Sequence, residues 1–307
     1  MAFVFIISAV VAVVTALLVV PLGGDRKDKV SSIALLAILT FVVVAIIYYV
    51  TNLDRNWTAL WPWLVLITFA GTFLARGVEQ KVKGILLLGS LALAIYMLSA
   101  PVWNADKKYE VAKMDEEVEI EAFDETKTPA SVPPKFARNK MKKAFGQVPD
   151  TSYYELGNLQ IQKVDGKYVY IAPVEFSGFF KWWNGDVTPG YFTMSATDSA
   201  DNPKFVKSQM TYTPSSFLHK NLERHMRMKH PTKIFYGDAQ LEIDEDGKPY
   251  YIRSYGKFIT ARNGFDVEGI VVVDPATGQT ESFALADVPE FIAGAVSPET
   301  VSLQNSY

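Results

Sequence analysis

The 307 residues include no cysteine. Disulfides, thiolate nucleophiles and cysteine metal sites are therefore excluded, while an oxidising compartment remains permitted. Histidine is nearly as scarce: His219, His225 and His230 lie in one short stretch. On a helix, at about 100° per residue, His225 sits far round from His219, and His230 returns to that face about 16 Å along the axis, too far to share an ion. They read as helix-surface histidines, and no metal is expected. Basic charge is not in excess either. With a formal net charge of −3 the chain lacks the face that neutralises phosphates, so no nucleic-acid partner is expected. Gly-x-Ser-x-Gly, His-Glu-x-x-His and Gly-x-x-x-x-Gly-Lys are all missing, which removes the common hydrolase, zinc-protease and nucleotide signatures. No cofactor is expected.

Charge itself is missing from long stretches of the first hundred positions. Ala2 to Val20 is an apolar run of about 19 residues, enough to cross a hydrocarbon core of about 30 Å at about 1.5 Å per residue. A cleaved signal peptide fits less well, because no Lys or Arg precedes the run and Val20-Pro21-Leu22-Gly23 is a poor cleavage site. Further spans are predicted from about Val30 to Val50, Leu60 to Ala75 and Gly84 to Ala100. Thr58 is the expected cap of the third, Pro62 suits its first turn, and Trp57, Trp61 and Trp63 suit a headgroup interface. Ser8, Ala12 and Ala16 at four-residue spacing allow a close helix contact, although small residues are common in spans. None of these windows contains Asp, Glu, Lys, Arg or His, which argues against a pump or coupled transporter. Arg26, Lys27 and Lys29 follow the first span and Arg76, Lys81 and Lys83 the third, against Arg55 alone after the second. The positive-inside rule then expects both basic loops in the cytoplasm and the large C-terminal part on the outer face of the cell membrane. Lys107, Lys108 and Lys113 beyond the fourth span weaken that expectation.

The expected organisation is a four-helix transmembrane domain over 1–103, an acidic and Pro-rich linker over 104–132, and two α/β repeats over 133–212 and 213–307. Seven acidic residues between Asp115 and Glu125, then Thr128 to Pro134, read as a spacer lifting the remainder off the membrane. A period of about 80 residues follows. Pro134 with Phe136 matches Pro214 with Phe217, Val148-Pro149 matches His230-Pro231, and Gly157-Asn158-Leu159-Gln160-Ile161 matches Gly237-Asp238-Ala239-Gln240-Leu241. Asp165-Gly166-Lys167 matches Asp246-Gly247-Lys248, and Asp186-Val187-Thr188-Pro189-Gly190 matches Asp266-Val267-Glu268-Gly269. Each unit reads as an amphipathic helix, a hairpin turning at Asp-Gly-Lys and a further strand. The helices are expected at Lys135 to Phe145, presenting Phe136, Met141 and Phe145, and at Ser215 to Lys229, presenting Leu218, Leu222 and Met226. The third strands are expected at Gly190 to Ser195 and Gly269 to Val273, and a closing helix near Asp287 to Ala293.

This repeat resembles the PepSY type of small α/β module, which is known mostly from extracytoplasmic and membrane-anchored bacterial proteins that inhibit or regulate peptidases. The fold class expected is thus membrane α-helical, with four transmembrane helices, plus an α+β soluble part of two PepSY-like helix-on-antiparallel-sheet repeats. A closer resemblance, over about Tyr153 to Pro298, is to uncharacterised bacterial multi-pass membrane proteins, some labelled after colicin V production. It rests on Ile171 to Trp182, Pro189-Gly190-Tyr191, Tyr212 to Phe217 with Leu222-Glu223-Arg224-His225, and Val273 to Gly278 with Asp287-Val288-Pro289. Those relatives look longer, so an activity residing in their last portion does not carry over, and the group offers no catalytic residues.

Two local patterns invite a site. Glu242, Asp244, Asp246 and Gly247 imitate positions 1, 3, 5 and 6 of a calcium loop, but position 12 is Arg253 and the flanking alternation is that of a hairpin. The aromatic stretch Phe176 to Phe192 is either core or, in its Phe179 to Asn184 loop, an exposed patch for lipid headgroups, a peptide or a protein. Core is the favoured reading. As an interaction patch it comprises Phe179, Phe180, Trp182, Trp183 and Asn184. The function expected is a non-enzymatic, membrane-anchored module that binds a protein, peptide or envelope component. The alternatives are an envelope enzyme or peptidase regulator with a carboxylate site, and a subunit of a larger complex contacted through its spans.

Overall fold

The computed structural model describes residues 2–23, 25–112 and 130–306. Four helices, α1 (Ala2–Val19), α2 (Arg26–Val50), α3 (Trp61–Leu74) and α4 (Gly77–Trp103), form the first third. With a short 3-10 turn from Trp57 prefacing α3, all four are long and apolar enough to cross a membrane. Their outward faces stay bare: Ile38, Leu88 and Leu98 are each more than three-fifths exposed. Water does not tolerate so large an apolar surface, whereas hydrocarbon does. On the inward face Ser8, Ala12 and Ala16 are buried, and a Cβ added at Gly71 on α3 would lie 2.1 Å from the Leu18 carbonyl oxygen. The small residues thus let α1 and α3 approach closely.

Two spans are longer than expected and carry charge in their first turns. In α4, Lys83 is 6% exposed, with its ammonium 3.1 Å from the Val20 carbonyl and 2.7 Å from Glu79, while Glu79 accepts from the Leu22 backbone N–H at 2.8 and 2.9 Å. A lysine at the negative end of α1, paired within its own helix, accounts for a buried charge that an apolar window does not anticipate. The cap before α3 is also reassigned. Asn56, not Thr58, caps the turn, accepting from the Thr58 backbone N–H at 3.1 Å.

Beyond α5 (Ala105–Ala112), the acidic stretch Asp115–Glu125 lies outside the described residues. The soluble part then runs through α6 (Pro134–Lys143), β1 (Tyr154–Leu156), β2 (Gln160–Val164), β3 (Lys167–Phe176), α7 (Phe179–Gly185), β4 (Thr188–Ser195) and β5 (Lys204–Met210). It continues with α8 (Leu222–Lys229), β6 (Ile234–Phe235), β7 (Gln240–Ile243), β8 (Pro249–Thr260), β9 (Asn263–Val273), β10 (Thr280–Ala284) and α9 (Pro298–Gln304). In the first antiparallel sheet β1 and β2 both pair with β3, followed by β4 and β5; in the second, β6 and β7 both pair with β8, followed by β9 and β10. The two sheets therefore share one connectivity, and the architecture is α+β.

Hairpin chemistry explains the turns. Asp165 and Gly166 both take positive φ, as a two-residue primed turn requires. The second turn is longer: Asp244 pairs with Lys248 through the backbone, and Gly247 alone is left-handed. Asp244 Oδ1 accepts from the Asp246 and Lys248 N–H groups, so the calcium-like residues are engaged in a turn. Glu242 points elsewhere and accepts from the N–H groups of Ala293 and Gly294, each at 2.8 Å.

Several expected elements shift. Helix α6 buries Ala137 and Met141 and leaves Phe136 exposed. The long helix expected from Ser215 divides into a 3-10 turn at Leu218–Lys220 and α8, which leaves Leu218 exposed while Leu222 and Met226 are buried. The closing helix is α9, and Leu285–Asp287 forms only a 3-10 turn. Of the three histidines, His219 is exposed, whereas His225 and His230 are held by partners. His225 Nε2 lies 2.7 Å from the Gly278 carbonyl with its ring against Tyr212, and His230 Nε2 lies 3.1 Å from Thr280 Oγ1. Both tie α8 to the β9–β10 turn.

One hydrophobic cluster crosses the boundary drawn near residue 213. Helix α6 packs on one face of the first sheet, around Met141, Val174 and Phe192. Helix α8 shares a single cluster with both sheets, uniting Ile171, Tyr191, Leu222, Met226, Tyr251 and Val271.

Candidate functional site

Strands β2 and β7, each paired on one side only, stand side by side. Gln162 staples them: its side chain donates to the Ile243 carbonyl at 2.7 Å and accepts from the Ile243 N–H at 2.9 Å. One amide thus satisfies the donor and acceptor of an otherwise open strand. Beyond the staple the edges part, and a cleft of about 640 Å³ opens between Asn158 to Ile161 on one wall and Asp238 to Gln240 on the other. These walls are the segments that match one another in the 80-residue comparison of the sequence.

The cleft leads to a smaller chamber of about 170 Å³ that shares Asn158, Gln160, Asp238 and Ala239 with it and adds Pro173, Glu175, Pro214, Glu223 and Tyr251. Among the described residues, three carboxylates line the chamber and no basic side chain does. Burial, with Glu155 directly opposite it on β1, pushes the Glu175 carboxyl up to about 7 despite the opposing influence of Arg138. Deeper still, Tyr251 is fully buried with an unpartnered hydroxyl, and burial next to Glu175 raises its pKa well above the usual phenol range. Gln160 Oε1 is likewise buried without a partner. Unmet polar atoms around a polar chamber are what a ligand or ordered water satisfies.

Arginines hold the walls in place. Arg138 donates to the carbonyls of Gly157 (2.8 Å) and Leu156 (3.2 Å), and Arg253 donates to that of Gly237 (2.8 Å). Gly157 is required where it is, since a Cβ would lie 2.8 Å from Glu175 and from Pro173.

The chamber also adjoins the helical part. Glu223 on α8 accepts from Asn52 Nδ2 at 2.6 Å and faces Arg253 at 3.9 Å. Around it Arg227 donates to Asn52, Arg55 donates to the Arg227 carbonyl at 2.6 Å, and Arg224 Nε donates to the Tyr49 carbonyl at 2.7 Å. At the tip of the long β8–β9 hairpin, Arg262 pairs with Asp54 at 2.5 Å. Burial lowers the pKa of Arg55, Arg253 and Arg227, that of Arg227 to about 10. The soluble part thus contacts residues 49–58 directly.

The aromatic segment is built differently from the expected loop. Phe179 to Asn184 lie in α7, whose one-turn periodicity divides them: Trp182 is 5% exposed, whereas Phe180 and Trp183 are 77% and 62% exposed. Phe179 and Asn184 are exposed, and none of the five lines the cleft. Core and patch are thus both present on one short helix.

No specific sequence motif announces Glu175, Glu223 and Asp238. The signals available were a carboxylate inside the apolar run Ile171 to Phe176 and the matched Gly-Asn and Gly-Asp segments that form the walls. In comparisons with known proteins, the chain matches no family model, no curated protein and no solved structure.

Proposed function

We propose that this chain is a membrane-anchored, non-enzymatic binding protein that receives an extended, basic peptide segment in the cleft between its sheets, on the outer side of the cell membrane. The supporting observation is the pairing of two parted strand edges with a chamber whose charged lining groups, among the described residues, are Glu175, Glu223 and Asp238. A strand edge offers main-chain hydrogen bonds to an extended peptide, and the chamber offers carboxylates to one cationic side chain. The short-loop charges Arg26, Lys27, Lys29, Arg76, Lys81 and Lys83 support the orientation. The resemblance read from the sequence to PepSY modules, which inhibit or regulate peptidases, is in keeping with a peptide ligand.

Binding of fluorescent Lys-rich and Glu-rich peptides of equal length to the full chain in nanodiscs tests this reading. The basic peptide binds preferentially, and Asp238→Asn weakens it roughly fivefold, a change of about 1 kcal/mol. Equal binding of both peptides, or indifference to Asp238→Asn, overturns it.

One observation favours a second reading. A carboxyl held near pH 7 beside a buried tyrosine is suited to general acid–base work in an envelope enzyme. Turnover of a peptide substrate that Glu175→Gln abolishes without loss of binding supports the enzyme over the binding module.

A further inference from the structure

We propose that the exposed face of α7, with Phe217 and Leu218 beside it, dips into the headgroup and acyl boundary of the same bilayer that the four helices span. The inference rests on the membrane reading of those helices and goes beyond the peptide cleft.

The position of the patch is set by a chain of contacts. Tyr49 stands one residue before the end of α2, at the edge of the apolar layer. Arg224 stacks over its ring at 4.6 Å and donates through Nε to its carbonyl at 2.7 Å. The same guanidinium donates through Nη1 to the Leu218 carbonyl, so Leu218 stands beside the end of the span. Phe217 then meets Phe179 edge-on at 5.2 Å between ring centres, and Phe179 touches Phe180 and Trp183 at 5.5 and 5.8 Å. A continuous aromatic surface therefore leads sideways from the end of α2.

Exposure gives that surface a direction. Phe180 and Trp183 are largely bare, and Phe217, Leu218 and Phe179 are between 37% and 43% exposed. Trp182 anchors the helix from behind, buried against Phe179 and Phe217. Trp57 and Trp103, at the start of the third span and the end of the fourth, are 72% and 80% exposed at the same end of the bundle. Aromatic side chains gather at membrane interfaces because their rings are apolar enough for the acyl boundary and tolerate headgroup water. The patch continues that belt from the soluble part, so the bilayer is the occupant favoured over a protein.

The native chain has no cysteine, so single nitroxide labels are clean probes. Phe180→Cys and Trp183→Cys, with Ile38→Cys as a lipid reference and Ala200→Cys as a water reference, are labelled in the full chain in phospholipid nanodiscs. Collision rates with oxygen and with a water-soluble nickel complex are then compared. The expected result is an oxygen-to-nickel ratio at 180 and 183 well above that at 200 and approaching that at 38. Ratios at 180 and 183 equal to that at 200, with 38 still in lipid, overturn the dipping patch alone. Water-like ratios at all four positions overturn the membrane reading with it. Shielding of 180 and 183 from both reagents overturns it in favour of a protein contact.

Discussion

Glu175 shows how one residue couples the fold to its environment. Its strand neighbours Val174 and Phe176 are buried, and the carboxyl faces Glu155 across the β1–β3 ladder with only Arg138 to offset it. A carboxyl whose folded pKa lies above its unfolded value takes up a proton on folding. Its contribution to stability is full below its unfolded pKa, about 4.5, and is lost as pH rises through about 7. The thermal stability of the full chain is therefore expected to fall across that window, by on the order of 3 kcal/mol at most, and Glu175→Gln flattens the slope. Affinity for a basic peptide runs in the opposite sense, strengthening between pH 6 and 8 as Glu175 ionises. A melting profile and a binding titration on the same variant check both. The residue was visible in the sequence only as an acid in an apolar run; that it faces a chamber depended on Pro214 and Tyr251 from the second half of the chain.

Among the elements, α8 carries the most connections. Its apolar stripe of Leu222 and Met226 is the part legible from spacing, and it lies in the core shared by both sheets. Its polar side could not be read the same way, since the partners of Glu223, Arg224 and Arg227 come from residues 49–55, far away in sequence. The β8–β9 hairpin adds a second point of attachment through Arg262 and Asp54, both largely shielded. Removing one member of a shielded pair leaves the other charge uncompensated. Arg262→Gln is expected to loosen this docking by about 1–3 kcal/mol. Amide hydrogen exchange then speeds up at residues 51–58 and stays unchanged in β3 and β4. The length of the hairpin itself depends on a bulge at Tyr255 and Gly256, where a Cβ would lie 1.9 Å from the Asp266 carbonyl oxygen. That glycine is needed because two strands cross there at closer range than a side chain allows.

At the scale of the whole molecule, a bundle with bare apolar flanks carries a soluble part seated on its own end. The proposed orientation is checked by maleimide labelling of Ala276→Cys and Lys27→Cys in intact cells. Ala276→Cys is expected to react from outside and Lys27→Cys only after permeabilisation; the reverse pattern inverts the topology. The amino-acid sequence alone determined the four spans, the period-two strands, the Asp-Gly turns and the Leu222 and Met226 stripe of α8, because each depends on residues within a few positions of one another. Only the tertiary structure decided that two strand edges part into a cleft of mixed charge leading to a carboxylate-lined chamber, that α7 divides its aromatics between core and surface, and that arginines of α8 clamp the end of α2. Those features arise where distant segments meet, and local spacing holds no record of which distant surfaces will share a boundary.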